Sequence, residues 1–354
     1  MNISEINEER EYDLEFAQIN KSMGGLDNTI ERLEGIRDAI ASCGICKSMM
    51  FAADPKGELA AAGIVPAYEG LEDAPVKDEN ATASIEGIDE VIKTAVRMFI
   101  KMLQSIGEHL KKWALWMIDK FTRKSKIIKD KMDATTEEAY HNFNSSAVVE
   151  TVYSVTEIQQ LAESMKELDH VVDLVNREAI EYFGQLSELD KDLSPILARL
   201  NATTQQYCSL VGRLRGFTVR TDEIRGVAIT YTHLEWMPQT KSLKDLGYNS
   251  SNVKSVLELA NHIIDSGSGS YTKLRTVADT YFKQIDKLHR KIYSGDTRLS
   301  DSEMHEAHHR SKVGWDISAI LRDIMRTTRQ IRGKIADSTC DLLRVIERSD
   351  DDWE

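Results

Sequence analysis

Apolar residues recur every three or four positions through most of the chain, which predicts long amphipathic helices. The most regular run steps alternately by four and three: Leu161, Met165, Leu168, Val172, Val175, Ala179, Tyr182, Leu186 and Leu189. This spacing is typical of a coiled-coil-like seam in a bundle. Ser194-Pro195 then supplies an N-cap and a proline in the first helical turn. A second helix as far as Leu214 should therefore form a helical hairpin with the first.

The C-terminal third predicts three more helices, over 251–265, 271–293 and 301–347. We interpret Ser266-Gly267-Ser268-Gly269-Ser270, between the first two, as a flexible turn. The last helix carries an apolar stripe made of Val313, Ile317, Ile320, Ile324, Thr328, Ile331 and Ile335.

Residues 216–249 break the helical rhythm. Phe217-Thr218-Val219 and the stretch 227–232 are rich in β-branched and aromatic residues and flank the polar Thr221-Asp222-Glu223. This pattern predicts a small β-hairpin with its turn at 221–223. The predicted fold class is mainly α: an elongated helical bundle with long coiled-coil-like helices and a small β-hairpin insert.

The N-terminal third divides into three parts. Residues 1–50 predict an acidic helical leader of one or two short helices, broken at Gly24-Gly25. Residues 51–87 are rich in Ala, Pro, Gly and acids without a periodic apolar face, which is typical of a flexible linker open to proteases. Residues 88–133 predict a basic amphipathic helix, and its apolar pattern is densest over 88–121. The remaining residues, 134–354, form the predicted bundle.

Charge separates the leader from the rest of the chain. The net charge of the 354 residues is −13, but residues 1–86 hold 18 acids against 7 bases, and the remainder is near neutral. Within that remainder, residues 91–133 hold 11 bases against 4 acids. The acidic leader could therefore mask the basic helix, although a charged run is ordinarily a solvated helix face.

Candidate chemistry is sparse. Cys43 and Cys46 form a lone C-x-x-C, and four cysteines in all indicate a reducing compartment rather than a disulfide framework. His305, His308 and His309 could hold a metal, but the order of a zinc protease motif is missing, so a surface cluster is the ordinary interpretation. The sequence shows no signal peptide and no apolar run long enough to span a membrane. We predict no catalytic residue, no cofactor and no metal site.

Two short motifs in the predicted linker share the order small, any residue, Glu, Gly. They are Ala67-Tyr68-Glu69-Gly70 and Ser84-Ile85-Glu86-Gly87. An acidic leader ending in such a motif, followed by a Trp/Phe/Lys-rich helix and long helices with a small β insert, resembles the internal head or virion structural proteins of large tailed bacteriophages. The resemblance implies that the prohead protease removes the leader after Glu69 or Glu86, ahead of Gly70 or Gly87.

The resemblance also implies a place and partners. The expected function is that of a non-enzymatic phage virion structural protein, made in the host cytoplasm and packed in the capsid interior. Its expected partners are other virion proteins, the prohead protease, further copies of itself, and packaged DNA through the basic stretch. The alternative is a membrane-associated protein that acts through residues 88–121. In either case Phe99, Trp113, Trp116 and Phe121 are the predicted partner or membrane face, whereas the ordinary interpretation of the same pattern is a buried bundle helix.

Overall fold

The fold is given by a computed structural model, which describes residues 3–67, 70–150, 152–214, 217–224, 227–234, 240–293 and 299–351. The chain is 80% helical, which confirms the mainly α bundle. The helices are α1 (Ile3–Cys43), α2 (Lys47–Ala53), α3 (Glu58–Ala61), α4 (Glu79–Ala134), α5 (Glu137–His141), α6 (Val155–Gly184), α7 (Ser194–Gly212), α8 (Val253–Tyr293) and α9 (Asp301–Asp351). The strands are β1 (Val148–Val149), β2 (Phe217–Ile224), β3 (Val227–Leu234) and β4 (Lys241–Ser242).

Helix α4 lies at the centre of the bundle. Helix α8 packs antiparallel to it, since Phe121 stacks on Tyr271 with ring centroids 5.6 Å apart and Gly107 lies against Tyr281. Helix α9 packs parallel to α4, since Lys124 near the α4 C-terminus pairs with Asp337 at 3.4 Å. With α1 on a third side, α4 has neighbours around most of its circumference, which explains its wide apolar stripe.

The predicted seam of α6 is confirmed. Its apolar positions from Leu161 to Tyr182 are buried. Leu186, which is buried, and Leu189, which is partly buried, lie beyond the end of the helix at Gly184. A capping box starts the helix: the Ser154 side chain accepts from the Glu157 backbone N–H, and the Glu157 side chain accepts from the Ser154 N–H. Helix α6 runs antiparallel to α9 and parallel to α8.

One buried arginine joins α6, α8 and α9. The Arg332 side chain of α9 is fully buried and donates from Nη2 to both carboxylate oxygens of Asp169 on α6, at 2.7 and 2.8 Å. Its Nε donates to the Ile263 carbonyl of α8 at 3.1 Å. A Cβ on Gly267 would lie only 2.6 Å from Arg332 Cδ. The flexible turn predicted at 266–270 is therefore wrong: α8 is continuous there, and Gly267 makes room for the arginine.

The helix break predicted at Gly24-Gly25 is also wrong. Helix α1 runs through both glycines, and the nearest atom to a Cβ on Gly24 would belong to the Trp315 ring of α9, at 4.0 Å. The apolar stripe of α1 from Phe16 to Ile40 faces the bundle, whereas Leu14, just before it, is exposed. The predicted acidic leader is thus an integral layer of the bundle.

Residues 51–87 were expected to be a flexible linker, but the described part of this range has defined structure. Asp54 is buried and its carboxylate accepts three backbone N–H groups at the start of α3. Ile45 and Val76 exchange backbone hydrogen bonds at 2.8 and 3.0 Å, which closes the segment into a loop. Helix α4 begins at Glu79 rather than 88. Caps and backbone pairing replace the periodic apolar face that this sequence lacks.

The predicted β-hairpin is present as β2 and β3, but its predicted turn is wrong. Thr221, Asp222 and Glu223 lie within β2 and pair with residues 228–230 of β3. The last pair of the ladder is Ile224 with Val227, so only Arg225 and Gly226 connect the strands. A two-residue connection containing glycine is a stronger hairpin signal than a polar triplet.

Candidate processing site and the covered bundle face

Glu86 lies in the second turn of α4. The helix starts at the N-cap Asp78, whose side chain accepts from the Ala81 N–H at 2.9 Å. Ser84, two residues before the candidate cleavage point, is buried, and its hydroxyl donates to the Asn80 carbonyl at 2.7 Å. Glu86 itself is exposed. The specificity carboxylate is accessible, but the backbone around it is helical rather than extended, so a protease would need these first turns to open.

Gly87, on the other side of the candidate bond, packs against the preceding loop. A Cβ at this position would lie 2.9 Å from the Ile64 carbonyl oxygen. The loop containing Ile64 must therefore move away before the Glu86–Gly87 bond can enter a protease.

The other candidate site is only partly described. Glu69 and Tyr68 lie outside the described residues, so the prediction that cleavage follows Glu69 is not located in the structure. Gly70 is described and exposed, and its N–H donates to the Ala67 carbonyl at 2.9 Å.

The predicted partner or membrane face is wrong as an exposed surface. Phe99, Trp113 and Phe121 are each no more than 1% exposed, and they belong to the core between α4 and its neighbours. Trp116 is partly buried at the edge of the α1 contact, with its ring 6.0 Å from that of Tyr12. The ordinary interpretation, a buried bundle helix, accounts for these four side chains.

Helix α1 covers a face of α4 and α9 that carries cationic and imidazole groups. Asp27 of α1 is buried and lies 2.8 Å from Lys312 Nζ and 3.4 Å from His308 Nε2, both on α9. His305 lies on α9 one helical turn before His308, and its Nδ1 is 3.0 Å from the Glu34 carboxylate of α1. The acidic helix therefore does pair with basic groups, but mostly with those of α9.

Several lysines of the basic stretch of α4 pair with carboxylates of other helices. Lys111 pairs with Asp279 of α8 at 2.6 Å, and Lys131 pairs with Glu347 of α9 at 2.6 Å. With the Lys124 contact described above, these pairs spread along the length of the helix. The expectation that the leader masks this stretch is corrected: α8 and α9 supply most of the described partners.

His109 of α4 is a buried titratable group in the α1 contact. It lies between Tyr12 and Phe16 of α1, with ring centroids 5.6 and 5.5 Å away, and its Nδ1 is 3.4 Å from Glu15 Oε2. Burial lowers the pKa of His109, and the nearby Glu15 carboxylate opposes this shift only in part. The imidazole is consequently held neutral at neutral pH.

Two ion pairs and one histidine–carboxylate contact form a ring where α1, α4 and α9 meet. Arg37 of α1 lies 3.5 Å from Asp89 of α4, and Lys93 of α4 lies 3.7 Å from Asp301 of α9. The contact of His305 with Glu34 completes the ring from α9 to α1. They surround a cavity of about 10 Å³. Burial, with a smaller effect of Asp301, raises the pKa of Asp89. Since Asp89 follows Glu86 by three residues, the ring adjoins the candidate cleavage point.

These contacts leave little trace in the pattern of the sequence. Asp27 interrupts the apolar stripe of α1 between Met23 and Ile30, and a carboxylate at such a position is the one available sign of a buried partner. The partner of Asp27 cannot be inferred from the residues around it, because that partner, Lys312, lies on α9, nearly three hundred residues away.

The remaining sequence candidates are placed apart from one another. Cys43 is exposed, Cys46 is buried, and both are free thiols. Of the histidine cluster, His308 is buried and His309 is exposed, so the three rings do not share one site. Within the described residues, no group of three or more His, Cys, Asp or Glu side chains could hold a metal ion. None of the described helices is long and apolar enough to cross a membrane.

Comparison of the chain with protein-family models, with curated proteins and with solved structures found no match.

Proposed function

We propose that the chain is a non-enzymatic structural protein of a phage particle, packed inside the head and matured by cleavage after Glu86. The observation that carries the proposal is the covering layer. Residues 1–86 are acidic, and their main helix, α1, lies over a cationic and aromatic face of α4 and α9. Loss of this layer would uncover a surface suited to other virion proteins.

Opening of the first turns of α4 is the step that cleavage requires. Helix ends open at a lower free-energy cost than helix interiors, and the end in question is held by the Asp78 cap and by the contact of Gly87 with Ile64. Cleavage after Glu86 removes 18 acids and 7 bases and changes the formal charge from −13 to −2. Cleavage after Glu69 would leave −6 instead, because fewer acids are lost.

Intact-mass analysis of the protein from purified particles tests the proposal. The expected mature chain begins at Gly87. Glu86→Gln should retain the full-length chain, because it removes the carboxylate and keeps the side-chain size. The matched control is Glu90→Gln, since Glu90 is exposed one turn further along α4 and should not affect processing.

Two results would reject the proposal. One is a chain in mature particles that still begins at Met1. The other is normal processing when Glu69 and Glu86 are both replaced by Gln. An N-terminus at Gly70 would keep the structural role and move the cleavage to the alternative site.

A further inference from the structure

A groove of about 420 Å³ lies between the parallel helices α6 and α8. From α6 it is lined by Asp173, Leu174, Asn176 and Ile180, and from α8 by Lys273. Its volume is in the range of small-molecule sites, and it combines aliphatic walls with a few polar groups, as such sites do. It is separate from the α1 contact and from the candidate cleavage sites.

The groove contains polar atoms that the protein leaves unpaired. Asn176 is only 2% exposed, and neither its Oδ1 nor its Nδ2 has a hydrogen-bond partner. Asp173 bonds Lys273 through Oδ2, whereas its Oδ1 is buried without a hydrogen bond. An unpaired buried amide destabilises a fold, and an aliphatic side chain would avoid that penalty. A ligand that supplies the missing partners explains why an amide is there.

The unpaired atoms define the partner chemically. Asn176 and Asp173 lie three residues apart on one helix face and offer two acceptors and one donor. The edge of an adenine base carries the complement, since its exocyclic amine has two N–H groups and the adjacent ring nitrogen accepts, whereas uracil and thymine present the reverse order, a carbonyl beside an N–H. An asparagine side chain makes both bonds to that edge at once. Leu174 and Ile180 provide apolar surface for the faces of the ring.

The rim of the groove carries cationic side chains of the kind that bind the phosphate of a nucleotide. Arg177 is 69% exposed, and its nearest carboxylate, Glu178 at 3.9 Å, already accepts from Arg199 at 2.9 Å. His170 and Lys273 lie on the same rim. Guanidinium and ammonium groups are the usual protein donors to phosphate oxygens.

We propose that the α6–α8 groove binds an adenine nucleotide, with the base on Asn176 and Asp173 and the phosphate on the rim cations. The same chemistry is presented by a free nucleotide and by an unpaired adenine within single-stranded nucleic acid. The inference does not depend on the proposed virion role.

Isothermal titration of the full chain tests this proposal with AMP, UMP, inorganic phosphate and single-stranded oligo(dA) and oligo(dT). AMP should bind more tightly than UMP or phosphate. Oligo(dA) binding in preference to oligo(dT) would identify nucleic acid as a source of the base, and binding of AMP alone would identify the free nucleotide. Asn176→Leu should weaken AMP binding by about tenfold, and its melting temperature should be unchanged or raised, because the unpaired amide is removed.

Two further variants make the outcome decisive. Asn261→Leu is the control, because Asn261 lines a different groove, between α4 and α8, and should leave AMP affinity unchanged. Arg177→Ala changes an exposed side chain and should therefore fold even if Asn176→Leu does not. It should weaken the binding of AMP but not that of adenosine, which has no phosphate. Failure of AMP and oligo(dA) to bind at millimolar concentration would overturn the proposal. So would equal affinity for AMP, UMP and phosphate, or AMP binding unaffected by both groove variants.

Discussion

The contact of α1 with α4 and α9 and the contact among α6, α8 and α9 both bury polar groups, but the two differ in how those groups are satisfied. In the second contact Arg332 holds both oxygens of Asp169 and a backbone carbonyl, around a glycine that fits it. In the first, His109 is buried with neither ring nitrogen in a hydrogen bond of good geometry. For these two side chains, hydrogen bonds on two of the three guanidinium nitrogens offset the burial of Arg332, whereas no such bond offsets the burial of the His109 ring. The α1 layer should therefore separate from the bundle more readily than α6, α8 and α9 separate from one another.

Replacement of Arg332 should have the largest effect. Arg332→Ala leaves Asp169 without its principal partner and opens a cavity, and we expect a loss of about 3–5 kcal/mol in the free energy of unfolding. Chemical denaturation of the purified chain measures it. Arg123→Ala is the control, since Arg123 pairs with Asp119 on the exposed surface and should change stability by less than about 0.5 kcal/mol. Equal losses in the two variants would contradict the comparison.

A pair of glycine variants tests the packing around Arg332 with a smaller expected change in stability. Gly267→Ala should destabilise the fold by about 2 kcal/mol, because the new methyl group meets the Arg332 side chain. Gly269→Ala, two residues on, meets nothing within 4 Å and should stabilise α8 by about 0.5–1 kcal/mol. Thermal denaturation should move the two melting temperatures in opposite directions; a shift of the same sign would place Arg332 elsewhere.

Loss of Lys312 should affect α1 selectively. Lys312→Ala removes the cation that lies between Asp27 and Glu31, at an expected cost of about 1–2 kcal/mol after allowance for the exposure of Glu31. Hydrogen–deuterium exchange should rise over residues 11–43 and remain unchanged in α6 and α8. Exchange that rises equally in all the helices would show that α1 does not open separately.

The smallest expected effect is that of pH on the α1 contact. Because the folded-state pKa of His109 is lowered, the separated state binds a proton first as the pH falls below about 6.5. The contribution of His109 to docking is thus complete above that pH and decreases as the pH falls toward the folded-state pKa. Glu15 opposes this effect, whereas Arg322 and Lys112 add to it. Exchange of α1 measured between pH 7.5 and 5.5 should lose part of its pH dependence in His109→Gln.

The helices of the bundle could be predicted from local pattern, but their interruptions could not. The stripe of α9 from Val313 to Ile335 and the seam of α6 are buried as predicted, because periodicity reports which face is apolar whatever covers it. Glycine was misleading at 24–25 and 266–270, where tertiary neighbours such as Arg332 explain a residue that local propensity assigns to a turn. The structure of residues 51–87 depends on Asp54 and on the pairing of Ile45 with Val76, which leave no periodic signal.

The α6–α8 groove could not be predicted from the sequence for a different reason. Asn176 stands beside the seam position Val175 and resembles any polar residue on a helix flank. Its burial follows from the parallel approach of α8, and pairing between distant helices is not encoded in the spacing of either one.

The distance along the chain between α1 and its partners on α9 also bears on synthesis. Asn20 accepts from the Trp315 indole N–H across 295 positions of sequence, and Glu34 meets His305 across 271. At a translation rate of roughly 5–20 residues per second, α1 leaves the ribosome on the order of 15–60 seconds before α9 does. During that interval the part of its binding surface that α9 supplies does not exist, so α1 of a nascent chain is open to other contacts before the bundle can close over it.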